Sequence, residues 1–243
     1  MYKITVCMAT FNGEKWIECQ LNSILSELGL NDEIIIVDDV SVDETCSIIS
    51  AYSDPRIKLF KNTKNMGVDK TFENALSYAD GDIIFLSDQD DVWYQGKVKK
   101  VVHKFRTNQD CTLVLSDADI IDAQGNKVGS TYFQKRGAFK GGVINNLIKC
   151  KFLGCSMAFR ASILNKLLPF PDPIPGHDMW IGVVNEYYGC SYYISEPLIG
   201  YRRHGANLSP DSHKGLIQMI TWRWILLSRL TFKIFSNYFT LRS

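Results

Sequence analysis

At 243 residues the chain can bury the full core of one large α/β domain, alone or with a small appendage. Its 27 Lys and Arg residues almost balance its 26 Asp and Glu residues, which excludes the strong positive field of a typical nucleic-acid-binding domain. The seven cysteines lack C-x-x-C or His/Cys metal spacing, which favours free thiols in a reducing cytosol over a disulfide framework.

The N-terminal third of the chain repeats a strand, a turn and a helix three times and then begins a fourth strand. Short apolar runs predict strands at residues 4–9, 33–37, 57–60 and 83–86. Apolar residues at helical spacing predict the intervening helices, around residues 14–28, 45–52 and 72–79. Because crossovers of this kind are right-handed, the pattern predicts a Rossmann-like, mostly parallel central sheet flanked by helices.

Three carboxylates, those of Asp88, Asp90 and Asp91, follow the fourth predicted strand within four positions. Like charges this close raise one another's pKa unless a positive group lies among them. A hard divalent cation prefers oxygen ligands and usually keeps phosphates in its shell. The carboxyl ends of strands are also where open α/β sheets bind ligands. The pattern favours a site for a metal and a diphosphate, and a solvated acidic turn is the alternative.

Two other predicted strands end at the same edge of the sheet. The first runs into Thr10 and Asn12, and the second into Asp38 and Asp39, so a nucleotide can lie across these ends. Helix capping and turn formation are the competing roles for the two aspartates. No strand is followed by a dinucleotide-binding or P-loop glycine motif, but a metal-bound diphosphate needs no glycine cradle.

The second half of the chain contains weaker structural signals. Residues 122–142 are predicted to form a connector. We also expect helices at residues 97–104, 145–151 and 161–167 and strands at residues 112–116, 152–159, 192–194 and 198–201.

Five polar or small residues of this half are candidates for the site. Gly154, in a predicted strand, suggests close approach by a ligand. Asp178 begins a predicted helix, where the dipole favours a carboxylate and where N-capping is the competing role. Arg202, Arg203 and His204 follow the last predicted strand and suit phosphate or metal binding.

The chain from Leu216 onward differs from the rest in composition. On a helix its apolar and aromatic residues would form a broad face, with Arg223, Arg229, Lys233 and Asn237 in one sector. This pattern is typical of a helix in a membrane interface with its basic side toward anionic headgroups. Docking on the domain core or on a partner subunit is the alternative. No apolar run is long enough to span a bilayer, and the short run after Lys3 predicts no secretory leader.

Several motifs, spanning about residues 3–209, occur together in the order typical of glycosyltransferase family 2. They are T-V-C-M-A-T-F-N-G-E, I-I-I-V-D-D-V-S-V-D-E-T, N-M-G, G-D-I-I-F-L-S-D-Q-D-D-V-W, the H-D pair and Y-R-R-H-G-A-N. The chain therefore resembles this family of inverting enzymes with the GT-A fold. Its S-D-Q-D-D-V-W motif resembles that of bacterial rhamnosyltransferases of surface-polysaccharide synthesis.

The resemblance implies that five residues bind the nucleotide-sugar donor. Thr10 and Asp39 match the contacts to the nucleoside base, and Asn12 belongs to the same donor-binding motif. Asp88 matches the first carboxylate of the D-x-D motif, near the ribose. Asp91 is expected close to the donor sugar.

The resemblance also implies the residues of the chemistry. Asp90 matches the carboxylate that binds Mg²⁺ or Mn²⁺ at the diphosphate, and His204 is similar to a further metal ligand. Asp178 matches the general base. His177 stands where relatives often carry Glu, so we expect it to serve donor or acceptor recognition. Phe72 stands where many relatives carry Arg or Lys, which leaves Lys70 as the nearby cation.

The implied reaction is the metal-dependent transfer of a sugar, with rhamnose preferred, from a dTDP or UDP donor. Its acceptor would be a hydroxyl of a glycan or of a polyprenyl-diphosphate-linked sugar, attacked with inversion. We expect a cytoplasmic enzyme, peripheral on the inner face of the plasma membrane, with a catalytic domain at 1–214 and a helical segment at 215–243. Residues 1–119 would bind the donor and 120–214 the acceptor. A non-catalytic nucleotide-sugar or glycan-binding module is the alternative.

Overall fold

Four parallel strands form one half of the central sheet. The computed structural model describes residues 2–204 and 216–240, with side chains for 2–204 and 219–233. The strands are β1 (Ile4–Thr10), β2 (Glu33–Asp38), β3 (Ile57–Lys61) and β4 (Ile83–Asp88), in the order β3-β2-β1-β4. They are connected by α1 (Ile17–Leu25), α2 (Thr45–Ser50) and α3 (Val68–Ser77). The three predicted crossover units are therefore confirmed.

The other half of the sheet is mixed. It contains β5 (Val92–Trp93), β6 (Cys111–Ile121), β7 (Met157–Arg160) and β8 (Cys190–Arg202), and continues from β4 in the order β7-β6-β8-β5. β7 runs antiparallel to β4 and β6, whereas β6 and β8 are parallel. The boundary predicted at residue 119 falls inside β6, so both halves of the chain contribute strands to one sheet.

Six helices belong to the second half in the part of the chain described. They are α4 (Lys97–Thr107), α5 (Tyr132–Arg136), α6 (Val143–Ile148), α7 (Leu164–Leu167), α8 (His177–Tyr188) and α9 (Leu216–Thr240). α5 corrects the connector predicted at residues 122–142. It begins with a capping box, in which Thr131 and Gln134 bond each other's backbone N–H groups. The strand predicted at residues 152–159 begins instead as a 3₁₀ turn, Gly154–Ser156.

Apolar side chains cover both faces of the parallel strands. Along β2, Ile34 and Ile36 belong to one buried cluster, and Ile35 and Val37 belong to another. α1 and α2 pack on the first face, and α3 packs on the second. Burial on both faces explains why these strands are continuous apolar runs in the sequence.

α9 docks on the domain through its basic sector. Leu226 and Leu230 are buried in the same cluster as Ile174. Arg229 Nη2 donates to the Asp172 carbonyl (2.7 Å), and Lys233 Nζ donates to the carbonyl of Leu168 (2.6 Å). The predicted orientation of this sector toward headgroups is therefore wrong, because these cations satisfy carbonyl groups of the domain.

Asn237 lies outside the residues whose side chains the structure describes. Among the helices it does describe, none combines the length and apolarity that a membrane span needs.

Candidate active site

The ends of β1, β2 and β4 bring the predicted acidic residues to one edge of the sheet. Thr10 pairs with Asp38 across β1 and β2, and Ala9 pairs with Asp88 across β1 and β4. The parallel registers therefore place these ends side by side, as the spacing predicts.

Gln89 fastens the loop after β4 to the loop after β1. Its Oε1 atom accepts a hydrogen bond from the Phe11 N–H (2.8 Å), and its Nε2 donates to the Phe11 carbonyl (2.9 Å). A Cβ atom on Gly13 would lie 2.3 Å from Gln89 Oε1, so this contact requires glycine. Sequence reasoning missed Gln89 because only its flanking aspartates carry a motif signal.

Asp38 and Asn12 shape the loops beside the site. Asp38 accepts hydrogen bonds from Thr10 Oγ1 (3.1 Å) and from the Ser41 N–H (2.9 Å), which is the turn-forming role. Asn12, at a φ of 50°, accepts from the Val42 N–H (2.9 Å). Thr10 is almost fully buried, so its contact with a nucleoside base stays a prediction.

Asp39 holds the N-M-G turn. Its carboxylate accepts hydrogen bonds from the N–H groups of Met66 and Gly67, each 2.8 Å long, and from Asn62 Nδ2 at 2.8 Å. The side chain is almost fully buried. It therefore ties the end of β2 to the start of α3, and its predicted base contact is untested.

Asp88, Asp91 and Cys155 form a buried cluster beneath the loop after β4. One ligand atom from each lies within 4.8 Å of the others. Burial and the charge of Asp90 raise the pKa of Asp88 to about 6. Burial and the charges of Asp88 and Asp90 also raise the pKa of Asp91. These carboxylates therefore lack sufficient positive charge nearby, which is the condition that a bound cation relieves.

Asp91 is fully buried, and its expected place close to the donor sugar stays a prediction. Its Oδ1 atom accepts a hydrogen bond from the Arg202 N–H (2.9 Å). The Cys155 thiol donates toward the carboxylate, and Oδ2 is a buried atom without a hydrogen-bond partner among the described residues. With no surface of its own, Asp91 positions the loop.

Asp90 and His204 meet although 114 residues separate them. His204 Nε2 lies 2.7 Å from Asp90 Oδ2, and its ring stacks on Trp16 with centroids 4.0 Å apart. The structure thus brings together the two metal ligands that the resemblance implies, beside the carboxylate of Asp88.

This donor set fits a hard divalent cation. Carboxylate oxygen and imidazole nitrogen suit Mg²⁺ or Mn²⁺, whereas burial and the charges of Asp91 and Asp88 raise the pKa of the Cys155 thiol and keep it protonated. Asp90 and His204 thus stay the predicted cation ligands, and Cys155 is a neighbour that donates a hydrogen bond to the carboxylates.

Arg202 holds the acidic loop after β4 in place. Its Nε donates to the Asp90 carbonyl (2.6 Å), and Nη1 donates to the carbonyls of Asp122 and Ala123 (3.0 Å each). The residue is almost fully buried. These bonds correct its predicted phosphate-binding role, because the guanidinium is occupied by protein carbonyls. Arg203 Nη1 donates to the Tyr201 hydroxyl (3.1 Å).

Lys97 is a buried cation close to the same cluster. Its Nζ donates to the Cys155 carbonyl (3.2 Å) and lies 4.8 Å from the centroid of the Trp93 ring. Burial lowers the pKa of Lys97 to about 8, and the nearby charge of Asp91 opposes that shift. The sequence predicted a helix here and did not single out Lys97.

His177 and Asp178 begin α8 at the other side of the cluster. Asp69 Oδ1 accepts from the His177 N–H (2.7 Å) and lies 3.0 Å from His177 Nδ1, and the ring stacks on Phe72. Burial lowers the pKa of His177, but the charges of Asp69, Asp178 and Asp88 outweigh it and raise the pKa. Asp178 Oδ1 accepts from the Met179 N–H (2.7 Å).

Gly154 brings the start of α8 against the carboxylate cluster. A Cβ atom there would lie 3.1 Å from His177 Nε2 and 3.5 Å from Asp178 Cβ. The close approach at Gly154 is to the start of α8, and the predicted approach of a ligand there stays a prediction. Cys155, the residue after Gly154, belongs to the carboxylate cluster. The charge of Asp178 also acts on this cluster, where it contributes to the raised pKa of Asp88.

Lys70, the cation expected to replace a basic residue at position 72, is paired within α3. Its Nζ lies 2.7 Å from Glu73 Oε2. Phe72 is instead a buried platform for His177.

Comparisons with known proteins agree on one family. The sequence profile described as "Glycosyl transferase family 2" matches residues 5–168. The dTDP-rhamnosyl transferase RfbG of Shigella flexneri is 28% identical over 238 residues, covering 89% of this chain and 80% of the relative. The Escherichia coli UDP-Glc:alpha-D-GlcNAc-diphosphoundecaprenol beta-1,3-glucosyltransferase WfgD is 25% identical over 223 residues, covering 88% and 83%. A Nostoc glycosyltransferase, alr2836, is 28% identical over 214 residues, which cover 84% of this chain. The chain spans 66% of that relative's length.

Solved structures share the fold. The TarS fragment of S. aureus in complex with UDP-GlcNAc superposes with a TM-score of 0.72 at 17% identity, covering 95% of this chain and 69% of that one. A Pyrobaculum calidifontis mannosyltransferase, in complex with GDP-Man and Mn²⁺, gives a TM-score of 0.59 at 21% identity, covering 81% and 55%. These likenesses confirm the GT-A fold that the motifs imply.

Proposed function

The chain belongs to glycosyl transferase family 2, and we propose that it moves a sugar from a nucleotide-diphosphate donor to a hydroxyl of a glycan or lipid-linked acceptor, with inversion. The observation that carries the proposal is the convergence of Asp88, Asp90, His204 and Asp178 around the turn at Gly154. A structural role alone does not account for buried carboxylates with raised pKa values at a sheet edge.

Asp90 and His204, with Asp88, would hold Mg²⁺ or Mn²⁺. The bound cation offsets the charge that develops on the leaving diphosphate. Arg202 and Gln89 keep the ligands in place by fixing the loop on which they lie. The site therefore needs no glycine-rich phosphate loop.

Asp178 would accept the proton of the attacking hydroxyl. Its carboxylate lies in the first turn of α8, where the helix dipole stabilises the ionised form that a base requires. A direct displacement needs no protein nucleophile, and it inverts the anomeric carbon. His177, held by Asp69 and Phe72, would contact the donor or acceptor beside it.

We propose that the nucleoside lies across Thr10, Asn12 and Asp39, and that the donor is dTDP-rhamnose or a UDP-sugar. The names of RfbG and WfgD, which specify dTDP-rhamnosyl and UDP-glucosyl transfer, support both classes. A polyprenyl-diphosphate-linked acceptor, supported by the acceptor that the name of WfgD specifies, would place the enzyme at the inner face of the plasma membrane.

Turnover of a donor panel tests the proposal. We expect the chain with Mn²⁺ to release nucleotide diphosphate and form product from dTDP-rhamnose, UDP-glucose or UDP-GlcNAc with a polyprenyl-diphosphate-linked acceptor. Asp178→Asn should lower kcat by about 10²–10⁴-fold, because it removes the proton acceptor. Chromatography of the nucleotide product measures the rate, and NMR of the new linkage gives its stereochemistry.

The matched control is Asp80→Asn, an exposed aspartate far from the site that pairs with Lys3. It should leave kcat unchanged. Donor binding by the unsubstituted chain without product from any donor would instead favour a non-catalytic nucleotide-sugar-binding module. A full rate in Asp178→Asn would refute its assignment as the base.

A further inference from the structure

The outward face of α9 carries no charged side chain among residues 219–233. Its exposed side chains are Ile220, Thr221, Trp224, Leu227, Ser228, Thr231 and Phe232. Trp224 is 71% exposed, although large aromatic side chains are usually covered. Arg229 and Lys233 point the other way and contact the domain, whereas Arg223 lies between α9 and α6 and its Nη2 donates to the Ile148 carbonyl.

α6 extends this apolar surface. Ile144 is 73% exposed and Ile148 is 64% exposed. A shallow cavity of about 250 Å³ lies between the two helices, lined by Leu147, Ile220, Arg223, Trp224 and Leu227. We name the surface formed by Ile144, Ile148, Ile220, Trp224 and Leu227 the α6–α9 patch. A contiguous apolar surface of this kind marks an interaction site more often than scattered exposed residues do.

The chain around α6 is basic in sequence, and one acidic side chain from α8, Glu186, accepts a hydrogen bond from the Gly142 N–H (2.7 Å) at the start of this helix. Residues 123–171 include eight Lys or Arg and no Asp or Glu. Lys140 and Lys149, on either side of α6, are exposed and form no ion pair in the part of the chain that the structure describes. Burial, together with the charges of Lys149 and Lys140, lowers the pKa of Lys151, whose Nζ also donates to the Ala138 carbonyl.

We propose that the α6–α9 patch binds an anionic membrane surface. Its Trp and Ile side chains would enter the interface, while Lys140, Lys149 and Lys151 face the headgroups. The cations thus come from the flanks of α6 rather than from α9, whose basic residues hold the helix on the domain. The proposal rests on the proposed function only for the purpose of the membrane contact, which is to reach a lipid-linked acceptor that lies in such a surface.

A second copy of this chain is a poorer occupant of the patch. A two-fold interface through α6 and α9 brings identical surfaces together, and each surface carries the same exposed lysines, Lys140 and Lys149. Like charges so placed repel, whereas anionic headgroups neutralise them.

Co-sedimentation with vesicles tests the proposal on the full chain. We expect binding to vesicles of phosphatidylcholine containing phosphatidylglycerol, and weak binding to phosphatidylcholine alone. Trp224→Ser combined with Ile148→Ser should weaken binding at least about tenfold, because it removes the apolar anchors. Lys140→Glu combined with Lys149→Glu should do the same and abolish the dependence on phosphatidylglycerol, since each cation near an anionic surface adds to affinity.

Matched controls separate the patch from general effects. Leu30→Ser removes another exposed apolar side chain, and Lys15→Glu with Lys99→Glu reverses two exposed charges away from α6. These controls should bind as the unsubstituted chain does, and thermal unfolding should confirm that every variant is folded. Asp178→Asn should also bind normally, so a failure of the proposed chemistry leaves this test intact.

Two outcomes would overturn the proposal. One is equal binding to vesicles with and without phosphatidylglycerol. The other is unchanged binding in both patch variants. Analytical ultracentrifugation gives the remaining comparison: a dimer that dissociates in Trp224→Ser would assign the patch to a second copy and overturn the membrane assignment.

Discussion

Asp88 is the residue at which the fold and the proposed chemistry conflict. Its carboxylate lies beside those of Asp90 and Asp91, and burial with the charge of Asp90 raises its pKa to about 6. Such a group disfavours the folded state when it is ionised, and a cation reverses that effect. Asp88 therefore lowers the stability of the metal-free protein at the position where it would contribute to cation binding.

Neutralising Asp88 should stabilise the metal-free protein. Because the folded-state pKa lies above the ordinary value, the folded chain binds the proton more tightly, and the associated stability is lost as pH rises through about 6. At pH 7 Asp88→Asn should raise the free energy of unfolding by about 1 kcal/mol, and the gain should shrink at pH 4. Urea unfolding at the two pH values measures it.

Manganese supplies the control for Asp88→Asn. Mn²⁺ should stabilise the unsubstituted chain and have a much smaller effect on the variant, since a ligand stabilises only the state that binds it. Equal destabilisation of the variant at both pH values would mean that Asp88 has a packing role and no unfavourable charge.

At the scale of elements, the site depends on the contact between the end of β8 and the loop after β4. Arg202 makes that contact with its backbone N–H and its guanidinium, reaching Asp91, Asp90 and the carbonyls of Asp122 and Ala123. His204, two residues later, depends on the same anchor for its place beside Asp90.

Arg202→Lys should loosen this contact while retaining the charge. The ammonium group cannot reproduce the planar fork that reaches three carbonyls, so buried acceptors lose their donors. We expect the free energy of unfolding to fall by about 1–3 kcal/mol, measured by urea denaturation. Arg203→Lys, the matched change one residue later, should cost less, because Arg203 Nη1 bonds a tyrosine hydroxyl. An equal cost in both variants would contradict the clamp.

The sequence predicted the type of an element correctly where a single local signal determines it. β1, β2 and β4 are apolar runs because both faces are covered, and the crossover helices have clear spacing. β8 was predicted as two strands because its register with β6 shifts near Pro197, which breaks the apolar pattern. β5 has only two residues, and its pairing with β8 leaves no local signal.

The site was predictable in part. The D-x-D motif and the H-D and R-R-H sequences identified Asp90, Asp178 and His204 as candidates. Contacts that form only through tertiary packing leave no spacing pattern in the sequence. The sequence therefore did not indicate that Cys155 adjoins the carboxylates or that Asp69 holds His177. The orientation of α9 was missed for the same reason, because the domain carbonyls that bind its cations lie far away in sequence.

Across the whole molecule, a net charge near zero conceals two regions of opposite sign. Carboxylates gather at the ends of β2 and β4, whereas residues 123–171 are basic and contain no acidic residue. One region suits a cation and a diphosphate, and the other suits an anionic surface. Such an arrangement would let a single domain meet a nucleotide donor and a lipid-linked acceptor at different faces.

The central claim is that these carboxylates bind a divalent cation that in turn binds a pyrophosphate, and calorimetry of UDP and dTDP tests it most directly. With Mn²⁺ we expect both nucleotides to bind the unsubstituted chain, at least about tenfold more tightly than with EDTA, because the cation neutralises the diphosphate. Asp90→Asn should remove the dependence on Mn²⁺, and Asp80→Asn should retain it. Equal affinity with Mn²⁺ and with EDTA, or full Mn²⁺ dependence in Asp90→Asn, would contradict the account.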